Sequence, residues 1–343
     1  MAVEDESIPA QCLNLSCMYF EFSPNPGFNF LQSFGQKFGI ESTADVLVIP
    51  PEMGEGYIRI VDLYPHFKLL IHRYRLREDL ILRRTASSVP SDLVSVIFNS
   101  NEEPANMYAH NEQVQFSRHT DFAIQISSTD LSSEVRFSAN REIYFTVVGM
   151  AASQLRSLLQ LTRPHSIVDA ILGDSGGYLF YESMTPDVQK VLKQMMDFQP
   201  GHELQSFFYR NKVQELLFFL FEKLLRREGV QHLSVNKEDA DALYLLRSKI
   251  LADLSQPPFL PQLAKSVGMS ETKMKQLFRQ VFGNSIYQHF QDARMEQAAF
   301  LLRDGSRTVA DVGYQLGFSN LSHFGRLFEK YTGMKPKKYA LAG

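Results

Sequence analysis

The chain has 343 residues, room for about two domains that each bury a core, and a formal net charge of −3. With 44% hydrophobic and 21% charged residues its composition is that of an ordinary soluble globular protein, and its two cysteines exclude a disulfide framework. The charge is uneven: residues 238–343 hold 14 Lys/Arg against 10 Asp/Glu and the remainder 21 against 28, so a mildly basic end sits on an acidic body.

The N-terminal MAVEDES is acidic with no apolar run behind it, which predicts no signal peptide. Cys12 and Cys17 match no zinc spacing and read as reduced thiols. Residues 1–150 read mostly as strands. Segments 57–64, 67–76, 80–87, 93–99, 122–128, 134–139 and 142–149 alternate apolar with polar or are β-branched and aromatic, and turn-forming clusters such as PPEMGEG and NSNEEPAN separate them. Short strands at this spacing suggest a sandwich or barrel, and a small antiparallel barrel leaves an interior able to hold one ligand. One or two further strands are expected in residues 1–45.

His66, His72, His110 and His119 lie among the strands at no metal-ligand spacing and read as surface or packing histidines. Arg73, Arg75, Arg83 and Arg84 read as an outward strand face rather than an anion site. No metal ligand and no catalytic residue is assigned.

The pattern changes at Ala151. A short helix, AASQLRSLLQ, leads to GDSGG (173–177) and an extended YLFYESM. GDSGG resembles a serine-protease nucleophile loop, but the histidine and aspartate segments are missing and it reads as a plain turn. Thr185-Pro186 starts a helix with Val188, Val191, Leu192, Met195 and Met196 on one stripe. A second helix, about 202–227, is apolar nearly all round between 216 and 221 and needs partners on two sides. Burial within the chain and contact with a second subunit both satisfy this; on the second reading Leu216, Leu217, Leu220 and Phe221 form the dimer face. The apolar run LLFFLFEKLL in this helix is too short to span a bilayer and contains Glu222 and Lys223, so no membrane partner is expected and the chain reads as cytoplasmic.

Residues 228–239 are polar and read as a linker, after which Asp239 or Asp241 caps a helix ending before Pro257-Pro258. Then one pattern occurs twice, at 260–283 and 308–333: a short amphipathic helix, a glycine (Gly268, Gly317), a turn, and a second helix ending at a glycine. This is the helix-turn-helix, whose second helix enters the DNA major groove. In the first copy Met274, Leu277, Phe278 and Val281 share the core face, and Thr272, Lys275, Gln276 and Arg279 lie opposite. In the second, Phe324, Leu327, Phe328 and Tyr331 face inward; Ser322, Arg326 and Glu329 face out with His323 at the flank. Gln and Arg can read adenine and guanine edges, with Arg326 the best base-reading candidate. Lys330, Lys335, Lys337 and Lys338 read as phosphate neighbours. Between the copies one helix of about 19 residues makes a spacer near 28 Å, close to one DNA turn. Tyr287, Phe290, Ala298 and Leu301 form its buried stripe. Arg294 falls on the same stripe and needs a partner, for which Asp311 is the choice.

Residues 240–343 closely resemble the DNA-binding domain of AraC/XylS-type bacterial transcription regulators. The resemblance lies in LAKSVGMSETKMKQLFRQVFGNSIYQHFQDARMEQAAFLLRDG and VADVGYQLGFSNLSHFGRLFEKYTGMKPKKY. Two departures stand out: Gly313 replaces the usual alanine of the second unit's first helix, and Gly325 sits inside a recognition helix at some cost. The N-terminal part is similar, more weakly, to the branch of siderophore-responsive regulators.

The resemblance implies an α+β multidomain chain: a cupin-like antiparallel β-barrel that binds a small-molecule effector (1–150), a helical dimerisation segment (151–230), a linker (231–239) and an all-α double helix-turn-helix domain (240–343). It further implies a homodimer that binds double-stranded DNA, contacts RNA polymerase and activates transcription, with no cofactor besides the effector. Two rival readings are a constitutive DNA-binding protein whose barrel only dimerises and a cupin-type enzyme fused to a DNA-binding domain.

Overall fold

The computed structural model describes residues 17–25, 27–87, 89, 91–102, 105–109, 112–116, 123–173, 176–198, 201–227, 232–303 and 307–342. Cys12, His110, His119 and Gly305 lie outside the described residues. The chain divides into two compact units after Ala240.

In the first unit β1 (Cys17–Phe22) and α1 (Phe30–Phe38) precede a run of strands: β2 (Val46–Val48), β3 (Gly54–Tyr64), β4 (Phe67–Leu76), β5 (Asp79–Arg84), β6 (Leu93–Asn99), β7 (Ala105–Ala109), β8 (Glu112–Phe116), β9 (Ile124–Ser127), β10 (Ser133–Phe137) and β11 (Glu142–Ala151). Then come α2 (Ala152–Leu159), α3 (Ser166–Leu172), β12 (Leu179–Glu182), α4 (Pro186–Asp197) and α5 (Gln205–Leu225). The helix α1 stands where only strands were expected. Asn29 caps it by accepting from the Gln32 amide, and Phe30, Phe34 and Phe38 recur every fourth residue to pack on Phe20.

The expected closed barrel is not what the described strands form. They make two open sheets, β1-β5-β10-β7-β8 and β12-β9-β6-β11-β4-β3-β2. All pairings are antiparallel except the parallel β1–β5 pair. The reason lies in the larger sheet, whose central strands are apolar on both faces. One face carries Phe67, Leu69 and Ile71 of β4, Val94, Val96 and Phe98 of β6, and Val148 and Met150 of β11, all packed with residues of α2 to α5 in one core. The opposite face, at the alternate positions, lines a cavity between the two sheets.

This packing corrects the dimer face. Leu216, Leu217, Leu220 and Phe221 are buried in the core of their own unit. The all-round apolar helix finds its partners within the chain: β3 on one side and α3 and α4 on another. Phe207 and Phe218 of α5 remain exposed.

The segment expected as linker is partly docked. Val235 is fully buried, and its amide donates to the Gly177 carbonyl at 2.7 Å. A side chain on Gly177 would meet the Val235 carbonyl, so the glycines ending GDSGG form a seat for this strand of chain.

The second unit is all helix: α6 (Lys237–Ala252), which begins in the first unit's last residues, α7 (Leu260–Ser266), α8 (Glu271–Phe282), α9 (Ile286–Arg303), α10 (Val309–Gln315), α11 (Leu321–Thr332) and α12 (Pro336–Ala342). Asn236, not Asp239 or Asp241, caps α6: its side chain accepts from the Asp239 amide at 2.7 Å. The long α9 packs against α8, α10, α11 and α12. Its C-terminal half, with Met295, Ala298, Leu301 and Leu302, shares a core with Val312, Leu316, Phe318, Phe324 and Phe328.

Candidate nucleic-acid interface and ligand cavity

Two helices in the second unit carry the candidate interface. For α8, Ser270 Oγ accepts from the Lys273 amide at 3.3 Å, and Gly283 closes the helix at φ 80. For α11, Asn320 Oδ1 accepts from the amides of Ser322 and His323 at 2.9 and 3.1 Å, and Gly333 closes at φ 75. Each is preceded by a turn glycine in the left-handed region, Gly268 at φ 67 and Gly317 at φ 75. At Gly317 the demand is also steric, because a Cβ would meet the Ser255 carbonyl oxygen.

The inward faces pack as read, with Met274, Leu277, Phe278, Val281, Phe324 and Phe328 buried and Leu327 half-buried. Tyr331 is a correction: it is exposed on α11, as Tyr287 is on α9. Helical spacing places both on the buried stripe, but each lies at the end of its helix, Tyr331 in the last turn of α11 and Tyr287 in the first turn of α9. On the outward faces Thr272, Lys275, Gln276, Arg279, Ser322, His323, Arg326 and Lys330 are all exposed. Lys275 Nζ lies 2.9 Å from Glu271 Oε2 one turn back, so it must leave that ion pair to reach a base. Lys335, Lys337 and Lys338 are exposed around the start of α12.

Arg294 does not pair with Asp311. Its guanidinium donates to the main-chain carbonyl of Leu316 and lies against the faces of Phe318 and Phe290. Asp311 closes a capping box at the start of α10: its carboxylate accepts from the Thr308 amide at 3.1 Å and hydroxyl at 2.7 Å, and its own amide donates to Thr308 Oγ1 at 3.1 Å. The sequence signal for this was present in Thr308-x-x-Asp311. Gly313 also has a local reason. A Cβ there would meet Leu321 Cδ2 at 2.6 Å, so glycine lets α10 and α11 approach closely. Nothing lies near a Cβ at Gly325.

The first unit contains a cavity of about 680 Å³ between its two sheets. Positions 68–72 of β4, 93–99 of β6 and 145–151 of β11 line one wall at every second residue; Leu82 and Arg84 of β5 and Val135 and Phe137 of β10 line the other. Phe22, Phe28 and Phe30 close one side. Here two sequence readings are corrected or extended. Arg84 does not face outward: it is buried and donates to Ser127 Oγ at 2.9 Å and to the Ser128 carbonyl. Its neighbours on the list of strand arginines do face out, where Arg73, Arg75 and Arg83 meet Glu142, Glu55 and Glu21. His72 packs as read, with its ring stacked 4.0 Å from that of Phe145, but it also lines the cavity, and its Nδ1 is buried without a hydrogen-bond partner. Burial pushes its pKa down to about 3, so the imidazole is neutral. Among the described residues no group of three or more His, Cys, Asp or Glu could hold a metal ion, and no helix is long and apolar enough to cross a membrane.

Residues 263–341 match the family model described as a helix-turn-helix domain. Among curated proteins, the HTH-type transcriptional activator RhaR of Escherichia coli (strain K12) is 28% identical over 132 residues, 38% of this chain and 47% of the relative. RhaR of Shigella flexneri serotype 5b (strain 8401) matches with the same figures of 28%, 38% and 47%. The chain thus spans about half the length of the curated relatives it matches. Among solved structures, a probable AraC family transcriptional regulator from Rhodopseudomonas palustris CGA009 is 28% identical, covering 30% of this chain and 96% of that one at a TM-score of 0.28. ToxT from Vibrio cholerae is 15% identical, covering 80% of this chain and 98% of that one at a TM-score of 0.30.

Proposed function

We propose that this chain, whose C-terminal unit is an AraC/XylS-type helix-turn-helix domain, is a sequence-specific DNA-binding transcription regulator that answers to a small molecule held in its N-terminal unit. The observation that carries this reading is the double presentation in the second unit. Two capped helices each bury one apolar stripe and leave polar, hydrogen-bonding side chains exposed on the other. The family match over 263–341 supports the same assignment. Arg326, Gln276 and Arg279 read base edges in this proposal; Lys330, Lys335, Lys337 and Lys338 neutralise phosphates. The helix α9, at 18 residues, is roughly 27 Å long, which suits two recognition helices in successive major grooves.

The cavity between the sheets favours an effector over a purely structural role for the first unit, since an interior of this volume is in the range of small-molecule sites. The cupin-like classification, homodimerisation, contact with RNA polymerase and activation belong to this reading as well. Effector binding would shift the equilibrium between arrangements of the regulator on DNA.

The experiment is capture of fragmented genomic DNA by the purified protein at near-physiological salt, followed by sequencing of the bound fragments. Enrichment of a few upstream regions sharing two contact blocks about one helical turn apart is expected. Uniform recovery, unchanged across a panel of candidate effectors, would overturn the proposal.

A further inference from the structure

The cavity wall says what kind of molecule it takes. On β11 the residues facing the cavity alternate as Phe145, Val147, Gly149 and Ala151, and those of β6 and β4 do the same around them. A run of seven residues of strand makes the wall roughly 20 Å long. Its lining is predominantly apolar, and phenylalanines gather at the His72 end, where Phe137 lies 5.9 Å from Phe145 and Phe30 lies 4.9 Å from His72.

Two features of this wall have no explanation within the chain. Gly149 lies in the middle of β11, where glycine weakens a strand. Its φ is not in the left-handed region, and an added Cβ would make only ordinary contact, 3.6 Å from Leu93 Cδ1. Neither backbone nor packing requires glycine, and the effect of having it is a bare patch on the cavity floor. The second feature is Nδ1 of His72, a residue that lines the cavity: the atom is buried and has no partner among the described residues. A buried polar group left unpaired is destabilising, and a ligand that pairs it recovers the loss.

The lining carries polar side chains, among them Lys68, Arg84, Asp92, Asn99 and Gln125, but most of its surface is apolar, which suits a molecule with few polar groups better than a polyhydroxylated one. We infer that the cavity binds an elongated, predominantly apolar, ring-bearing molecule that lies across Gly149 and meets His72 Nδ1 with its polar group. The inference rests on the reading of this cavity as the effector site and names the ligand class for it.

The test uses the full chain and N-phenyl-1-naphthylamine, an uncharged diaryl amine whose fluorescence rises in apolar surroundings. Saturable one-site binding is expected. Gly149→Val should lose at least tenfold in affinity while melting at the same temperature as the parent or higher, because valine suits a strand. If that variant fails to fold, Ser95→Phe, which fills the cavity from the paired position on β6, replaces it. His72→Phe should weaken binding several-fold while keeping the apolar volume. Absence of saturable binding, or equal affinity in the cavity-filling variants, overturns the inference. Parallel melts with simple sugars and with a ferric catecholate separate the two levels. If one of those stabilises the protein and Gly149→Val cancels the effect, the ligand class is wrong and the effector reading stands. If nothing stabilises it or binds, both fall.

Discussion

The guanidinium of Arg294 donates from Nε at 3.1 Å, and again from a terminal nitrogen, to the carbonyl of Leu316, and sits 3.8 Å from the ring centroid of Phe318. Leu316 ends α10 and its carbonyl is one of the helix-terminal acceptors left without an intrahelical donor. A charged side chain from the central helix thus supplies the donor at the turn of the second helix-turn-helix. Arg294→Met should destabilise the second unit by about 2 kcal/mol, since it leaves a buried carbonyl unpaired. Thermal unfolding checks this: an unchanged melting temperature would remove Arg294 from its structural role.

Three glycines in the second unit predict three different outcomes on substitution by alanine. At Gly317 the backbone is left-handed and a Cβ would collide with the Ser255 carbonyl, so Gly317→Ala should cost several kcal/mol, on the order of the larger single-site effects. At Gly313 the neighbour is the mobile end of Leu321, so the cost should be small. At Gly325, inside α11 with open space around it, alanine should stabilise by about 1 kcal/mol. Denaturant unfolding of the three variants orders them; stabilisation by Gly317→Ala would contradict the described turn.

On DNA, Arg326→Ala should lower affinity for the preferred sequence by about 1–3 kcal/mol and relax preference at one position. Lys337→Ala should weaken binding to all sequences alike and reduce the salt slope by about one. Titrations on specific and scrambled duplexes at several salt concentrations distinguish the two. Equal loss on both duplexes for Arg326→Ala would reassign it to the phosphate backbone.

In the first unit Glu182 on β12 accepts from Lys223 at 2.7 Å and Arg227 at 2.5 Å, and both Glu182 and Arg227 are buried. The cluster ties the sheet edge to the end of α5. Glu182→Ala strands buried positive charge and should cost about 3–5 kcal/mol. A melting temperature within a degree of the parent's would show that the cluster contributes little.

His72 and His289 both have their pKa held down to about 3 by burial, with Arg247 adding to the effect at His289. Unfolded histidine titrates near 6.5, so below that pH the unfolded chain binds protons that the native histidines refuse. Stability is therefore complete above about pH 6.5 and falls as pH drops towards 3, by up to about 1.4 kcal/mol per pH unit for each group. The combined variant His72→Phe, His289→Leu should show a shallower acid-side slope in melts between pH 7.5 and 5. An unchanged slope would mean that these histidines titrate normally.

Much of the second unit could be read from sequence because its signals are local. Ser270, Asn320, Gly283 and Gly333 mark helix ends within a residue, and the spacing of Met274, Leu277, Phe278 and Val281 gives the buried face directly. What escaped depends on distant contacts. The partner of Arg294 is a main-chain carbonyl, and no side chain in the sequence announces it. The α5 residues Leu216, Leu217, Leu220 and Phe221 have a hydrophobic character equally consistent with a dimer face; only the placement of α3, α4 and β3 decides it. Arg84 reads with its exposed neighbours by residue type, although strand alternation puts Arg83 and Arg84 on opposite faces of β5; which of the two meets solvent depends on the other sheet. The short antiparallel strands point to an interior able to hold a ligand, but the part played by the mid-strand Gly149 emerges only once the strands are paired.

The central strands of the larger sheet carry the helix-packed core and the cavity wall on alternating residues. Chamber shape and fold stability are thereby written in interleaved positions of the same segments. A change at Val147 or Ile97 reshapes the chamber while Val148 and Val96 keep the helices in place. On the proposed effector reading, a library confined to the cavity-facing positions of β4, β6 and β11 should yield mostly folded proteins with altered ligand response.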